Sequence, residues 1–362
     1  MKTILLITLL AYLGGNTYLF IRVLQQMASV NPLWKVIFGI IFWLFAVALF
    51  IAIGARNIAL PEILARALFQ IGSAWMVFLL YMVLLLTVAD LARLIFPSFN
   101  GFYYALGLTL CLLAYGHWNY RHPNVNMIEI SLEKPLSKPF RVVAASDIHL
   151  GYGTDKKRLK QYVDLINEQH PDIVVIAGDL IDNSIKPVEK HRMDEELQEI
   201  EAPCGVYMVM GNHEYISGRK ECEKFISLAR INLLSDSIAT LPNGVQIIGR
   251  DDRSNRHRKP LEELVAGCDN SMPIILLDHQ PYLLSQTDSL KIDLQISGHT
   301  HRGQIFPINL LTDYIYEQSH GYRHWSYSHI VVSSGLSLWG PPFRIGTNSD
   351  IYVIQICGKK KD

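Results

Sequence analysis

Hydrophobic and polar positions alternate in two different ways along this chain, and the change falls near residue 121. Before it come four long apolar runs, 4–24, 33–55, 69–90 and 101–120. Each is close to the roughly 20 residues a helix needs to cross about 30 Å of hydrocarbon. Polar residues gather between them, at Arg22, Asn31, Arg56, Arg66, Arg93 and Arg121, and Tyr and Trp lie near several ends, as interfacial anchors do. The pattern predicts an N-terminal bundle of four transmembrane helices over 1–121. The competing readings are a buried bundle in a soluble protein and, for the first run, a cleaved signal peptide. The second is disfavoured because no small-residue cleavage site follows and Arg22 ends the run. Four spans place both termini on one side. Lys2, Arg56, Arg66 and Arg121 lie there, against Arg22, Lys35 and Arg93 opposite. This slight excess points to a cytoplasmic C-terminal region. No ionisable residue sits at the centre of a run, so nothing marks an ion pathway.

Beyond residue 121 the apolar runs shorten. Residues 122–139, with Pro123, Pro135 and Pro139, read as a linker. From 140 to 362 the pattern is that of a soluble α/β domain. Strands are expected at 141–146, 173–177, 206–210, 245–249, 274–277, 294–297, 330–333 and 351–356. Helical periodicity occupies 155–169, 188–200, 219–230 and 261–266. Strand followed by helix through the first half implies parallel pairing with crossovers.

Half the residues are hydrophobic, which fits partial residence in lipid. Acidic and basic residues number 33 each, so no bulk charge favours nucleic acid. The five cysteines are widely spaced and form no C-x-x-C, which argues against a disulfide framework and a structural zinc site.

The chemistry concentrates where strands end. Asp147 and His149 close the run VVAASDIHL, and at i and i+2 of extended backbone both side chains point one way. Asp179 and Asp182 follow IVVIAG, Asn212 and His213 follow YMVMG, Asp278 and His279 follow IILL, and His299 and His301 follow LQISG. Glycines 178, 211 and 298 permit sharp turns. Each cluster alone has an ordinary explanation: a turn carboxylate, a helix cap at Asn212, a partly buried histidine. Five in succession point to side chains converging on one rim of a sheet. Among the other histidines, some of those between His320 and His329 are candidates for a substrate groove.

D-x-H, G-D, G-N-H-E, a lone His and G-H-x-H in this order resemble the calcineurin-like metallophosphoesterase superfamily, over about 140–356. The N-terminal helices, G-H-T-H and a late Ser-Gly-Leu…Pro-x-Arg segment are similar to its membrane-associated bacterial members, some of which cleave the pyrophosphate of nucleotide-linked lipid A precursors. The resemblance implies a four-layer α/β/β/α sandwich with two divalent metal ions, Mn, Fe or Zn given the mixed donors. Asp147, His149 and His301 would hold one, Asn212, His279 and His299 the other, and Asp179 would bridge both. A water between the metals would become the attacking hydroxide. His213 would protonate the leaving group, and Asp182 would orient His213. Arg302 stands where relatives often have glycine and is a candidate for binding a phosphate oxygen. Asp278 would be a supporting carboxylate, and Asp251 and Asp252 loop residues.

The implied activity is hydrolysis of a phosphodiester or pyrophosphate, on a lipid-linked substrate drawn from a bacterial inner membrane, with the domain on the cytoplasmic face. The expected partners are the bilayer and the phosphoester; no nucleic acid is expected. The alternative is a membrane sensor or partner-binding bundle whose phosphoesterase domain is an output module acting on soluble phosphoesters.

Overall fold

The computed structural model describes residues 2–54 and 60–359. Two compact units emerge, Met1–Trp118 with Gly340–Phe343, and Asn119–Trp339 with Arg344–Asp362. In the first, helices run over Lys2–Gln26, Pro32–Gly54, Glu62–Ala92 and Phe102–Arg121. Three contain stretches long and apolar enough to cross a membrane: Leu6–Gln26, Pro32–Gly54 and Glu62–Ala92. The fourth expected span forms a helix but falls short of that standard, because Tyr103, Tyr104, Tyr115, His117 and Asn119 dilute its apolar content. Arg56 and the side chain of Lys2 lie outside the described residues, so half of the charges expected on the terminal side are not placed.

These helices bury Leu19, Phe42, Leu79, Met82 and Leu86 against one another. Gly72 lets two of them touch: a Cβ there would stand 2.2 Å from the backbone nitrogen of Leu49. Leu33, Ile40, Leu44 and Ile51 face outward, as expected where the surrounding solvent is hydrocarbon. The polar groups find partners inside. Trp75 donates to Asn16 Oδ1 at 2.9 Å, and Asp90 takes a hydrogen bond from Tyr18 at 2.6 Å and pairs with Arg22 at 2.8 Å.

The second unit is built on two six-stranded sheets. In chain order the strands are β1 (Asn124–Pro135), β2 (Phe140–Ala145), β3 (Ile173–Ala177), β4 (Val206–Val209), β5 (Asn232–Leu233) and β6 (Ser237–Thr240). Then follow β7 (Gln246–Gly249), β8 (Ile274–Leu277), β9 (Leu294–Ser297), β10 (Gly321–His324), β11 (His329–Val332) and β12 (Asp350–Lys359). One sheet has the order β1-β12-β2-β3-β4-β5, the other β10-β11-β9-β8-β7-β6. Strands β2 to β5 are parallel, as are β7, β8, β9 and β11.

The period of two explains the layering. Val142, Ala144, Ile173 and Val175 pack with Ile247, Ile275, Leu277 and Ile296 of the second sheet. Their neighbours Val143, Ala145, Val174 and Ile176 pack instead with Leu159, Tyr162, Phe225 and Ile226 of helices Lys156–Asn167 and Arg219–Leu228. On the far side, Ile248, Ile274 and Leu276 meet Leu261 and Leu264 of helix Leu261–Ala266. Strands buried on both faces need apolar residues at every position, which is why β3 reads IVVIA.

Two expectations change. The stretch 122–139, read as a linker, carries β1, a strand parallel to β12. It lies at the sheet edge, so only Ile130 and Leu132 are buried, and its exposed positions are polar except for Met127. The single helix expected over 188–200 is two short ones, Lys186–Lys190 and Met193–Leu197, separated where Arg192 takes a left-handed backbone with φ 49°.

Candidate metal centre

The parallel strands β2, β3, β4, β8 and β9 all end on the same rim, and their C-terminal loops carry the five clusters. Side chains at the carboxyl ends of parallel strands converge in this way because every such strand points toward that edge. Asp147, His149, Asp179, His299, His301 and Arg302 all have positive φ, between 46° and 72°. Residues with a Cβ rarely hold that conformation, and backbone strain of this kind collects at functional sites.

Three overlapping groups place ligand atoms within 4.8 Å of one another: Asp147 with His149 and His301, His149 with Asp179 and His213, and Asp179 with His279 and His299. Asp179 and His149 are each shared by two groups. Several nitrogen and oxygen ligand atoms crowd together. His279 Nδ1 contacts the Ala177 carbonyl at 2.7 Å, which places a proton there and turns Nε2 toward the site. Nε2 lies 3.1 Å from Asp179 Oδ2; burial opposes charge on this ring, but the Asp179 carboxylate raises it well above its ordinary value. The Nε2 atoms of His149 and His301 lie 3.1 Å apart, with Asp147 Oδ1 3.4 Å from His301 Nε2. His279 Nε2, Asn212 Oδ1 and His301 Nδ1 are buried without hydrogen-bond partners. Buried polar atoms without partners are costly unless a cation lies among them. The donors therefore fit a dinuclear divalent-metal site.

Asn212 does not cap the helix it opens; Gly211 holds that position. Gly178, with φ 86°, is required where it stands, since a Cβ would meet the His279 ring at 2.6 Å. His213 Nδ1 and His149 Nδ1 lie 3.2 and 3.5 Å from Asp182 Oδ1. Burial works against charge on His213, but Asp182 and the nearby Asp179 push it up to about 9. Burial also opposes the charge on Asp182, yet His149 and His213 bring it down to about 2. His299 is pushed down to about 4, chiefly by burial.

The remaining expected residues make contacts of their own. Arg302 Nη2 faces Asp313 Oδ2 at 3.7 Å. Asp278 pairs with Arg250 at 3.2 Å and Arg258 at 3.3 Å rather than with a candidate ligand. Asp251 accepts hydrogen bonds from Asn255 of its own loop at 2.9 Å and from Tyr215 of the helix that begins at Asn212 at 2.8 Å. The His324 and His329 rings stack on each other at 4.3 Å, and His320 contacts Ser319.

Two buried residues that stand in the quoted motifs but are given no role from the sequence organise the rim. Glu214 accepts backbone hydrogen bonds from Gly211 at 2.7 Å, Asp179 at 3.1 Å and Ile181 at 2.9 Å, tying the loops after β3 and β4 together. Its place in G-N-H-E was the only available signal. Arg344 donates to the carbonyls of His301 at 2.8 Å, Gly335 and Ser337 at 3.0 Å, and also to Ser334.

Comparison with known proteins gives this arrangement a family. A family model for calcineurin-like phosphoesterases matches residues 140–303. An uncharacterized metallophosphoesterase of Helicobacter pylori is 32% identical over 267 residues, covering 71% of each chain. This chain belongs to the calcineurin-like metallophosphoesterase family. It is a metal-dependent phosphoester hydrolase. A metallophosphoesterase of Campylobacter jejuni is 29% identical over 98% of both chains, so that likeness includes the N-terminal helices. A zebrafish transmembrane protein with a metallophosphoesterase domain is 34% identical, covering 70% of this chain and 62% of its own. With three helices among the described residues long and apolar enough to span a bilayer, the phosphoesterase is membrane-associated.

Proposed function

We propose that this metallophosphoesterase cleaves a phosphodiester or pyrophosphate bond of a lipid-linked substrate at a membrane surface. The observation that carries the reading is the convergence of buried histidine and carboxylate ligand atoms on Asp179, within 4.8 Å of one another in each group. In this reading Asp147, His149 and His301 hold one metal ion, Asn212, His279 and His299 the second, and Asp179 reaches both. Imidazole, amide and carboxylate donors together suit Mn, Fe or Zn. When bound, two such ions supply Lewis-acid activation of the phosphoryl oxygens and of the attacking water.

The chain's own residues do the rest. Ala177 fixes the His279 tautomer, and Glu214 holds the backbone of Asp179 in place. Asp182 engages Nδ1 of His213 and keeps that ring protonated, which leaves Nε2 to deliver a proton to the leaving oxygen. Arg302, if released from Asp313, offers two parallel donors to a phosphate oxygen pair.

Further parts of the reading concern the frame. The catalytic region, 140–362, takes the family's four-layer sandwich, supported by the apolar clusters on both sides of each sheet. Region 1–121 is a multi-pass anchor of four helices in a bacterial inner membrane, with the catalytic region on the cytoplasmic side. An anchored enzyme meets lipid at high local concentration, which favours an amphiphilic substrate.

Hydrolysis of bis-p-nitrophenyl phosphate by metal-stripped full-length protein, before and after adding Mn, Fe or Zn, tests this. Turnover is expected to return with metal. In His213→Ala it is expected to fall by about 10²–10⁴ while metal content is kept. No turnover with any of the three metals defeats the reading.

A further inference from the structure

Helix Ile308–Ile315 is built inside out. Its one fully buried residue is the polar Asn309, while Leu310, Leu311, Tyr314 and Ile315 are exposed, Tyr314 to 88%. Helices of soluble domains show the reverse arrangement. The helix is also tied to the metal centre at both ends. It follows the loop of His299 and His301 by a few residues, and Arg302 of that loop faces its Asp313. Where it ends, the Tyr316 ring lies 6.4 Å from His299, and its hydroxyl meets that of Tyr282 at 3.2 Å. Arg253 stacks over Tyr282 at 4.5 Å, so cationic and aromatic groups line the path from the helix to the site.

We propose that this helix lies in the headgroup region of the lipid bilayer and seats the apolar part of an amphiphilic phosphoester, with its phosphate toward His299. Three observations select lipid as the occupant. The chain carries three helices fit to cross a membrane, so a bilayer is present at high effective concentration whenever the protein is in place. Leucine and isoleucine together with the exposed Tyr314 form the mixture that partitions to a lipid interface. Eight residues make a helix only about 12 Å long. That is too small a face for the roughly 1,000 Å² that a stable pairing with a second copy requires.

The inference deepens the lipid-linked reading above by naming the element that meets the lipid, and its first test needs no turnover. A benzophenone amino acid is placed at Leu311, or at the exposed Leu228 on the outer helix Arg219–Leu228 as a control. Full-length protein is reconstituted in vesicles of phosphatidylethanolamine and radiolabelled phosphatidylglycerol, then irradiated. Lipid adducts at 311 and none at 228 are expected. Adducts at both positions, a dimer cross-link at 311, or no adduct at 311 each overturn the proposal. A second arm reads the ratio of turnover on a long-chain phosphodiester in vesicles to turnover on bis-p-nitrophenyl phosphate. The double substitution Leu310→Asp, Leu311→Asp is expected to lower that ratio at least about tenfold, as loss of two buried apolar side chains implies. An unchanged ratio refutes the substrate half of the proposal. Absence of turnover on both substrates counts against the phosphoesterase reading, and the cross-link still decides the helix.

Discussion

Arg344 offers a direct test of how the rim is held. Its guanidinium is fully buried and donates to four backbone carbonyls, those of His301, Ser334, Gly335 and Ser337. Burial pulls it down to about 10, opposed by Asp350 and Asp147, so it stays charged at neutral pH. In Arg344→Met the His301 carbonyl keeps the Gln304 N–H and the Gly335 carbonyl keeps the Asp350 N–H. Those of Ser334 and Ser337 lose the donor that Arg344 supplied. Two buried carbonyls left short of a donor cost about 2–6 kcal/mol. Removing a buried charge returns part of its desolvation penalty. The net expectation is about 3 kcal/mol, or roughly 6–12 °C in Tm for a domain of this size. Arg344→Lys keeps the charge but has fewer donors, so it should fall between. The assay is thermal unfolding of metal-stripped full-length protein in detergent, followed by Mn titration. Weaker metal binding should accompany the stability loss, because the His301 backbone is no longer tied. A Met variant within about 2 °C of the parent would refute the assignment of Arg344 as the tie.

Three further outcomes are expected. Asp182→Asn removes the carboxylate that most raises His213, so the protonated ring is lost at lower pH and the basic limb of kcat/KM moves toward acid; a limb that stays put contradicts the pairing. Glu214→Gln replaces one acceptor oxygen facing three backbone N–H groups and should destabilise the domain by about 1–3 kcal/mol, read from urea unfolding. Gly72→Ala forces a Cβ against Leu49 and should cost the helical unit about 1–3 kcal/mol, seen as easier proteolysis between its helices; unchanged resistance counts against that packing.

Much of the rim could be read from the sequence because its grammar is local. Each of Asp147, Asp179, Asn212, His279 and His299 comes two or three residues after the end of an apolar strand, all but His279 directly after a glycine or serine, and parallel strands bring such ends together. The groups that support them are not local. Arg344, the arginine of the Pro-x-Arg segment, lies 43 residues from His301 and belongs to no periodic element, so the motif marks the residue but not the carbonyls it reaches. Glu214 stands inside a familiar motif, yet its bonds reach back to Asp179 and Ile181 across the sheet. The strand β1 was hidden for a different reason. This edge strand keeps polar residues at most of its exposed positions, and flanking prolines made the stretch resemble a connector. Asp278 misled because adjacency to His279 says nothing of the face it takes, and Arg250 and Arg258 claim it. The inverted helix Ile308–Ile315 reads as ordinary amphipathic sequence until its surroundings show which side is out.

The central claim is the dinuclear site, and metal content measures it most directly. Elemental analysis of full-length protein, stripped and then equilibrated with Mn, should give two ions per chain for the parent and well under one for Asp179→Ala, since that carboxylate is common to two ligand groups. One ion or none in the parent, or two retained in Asp179→Ala, would contradict the account.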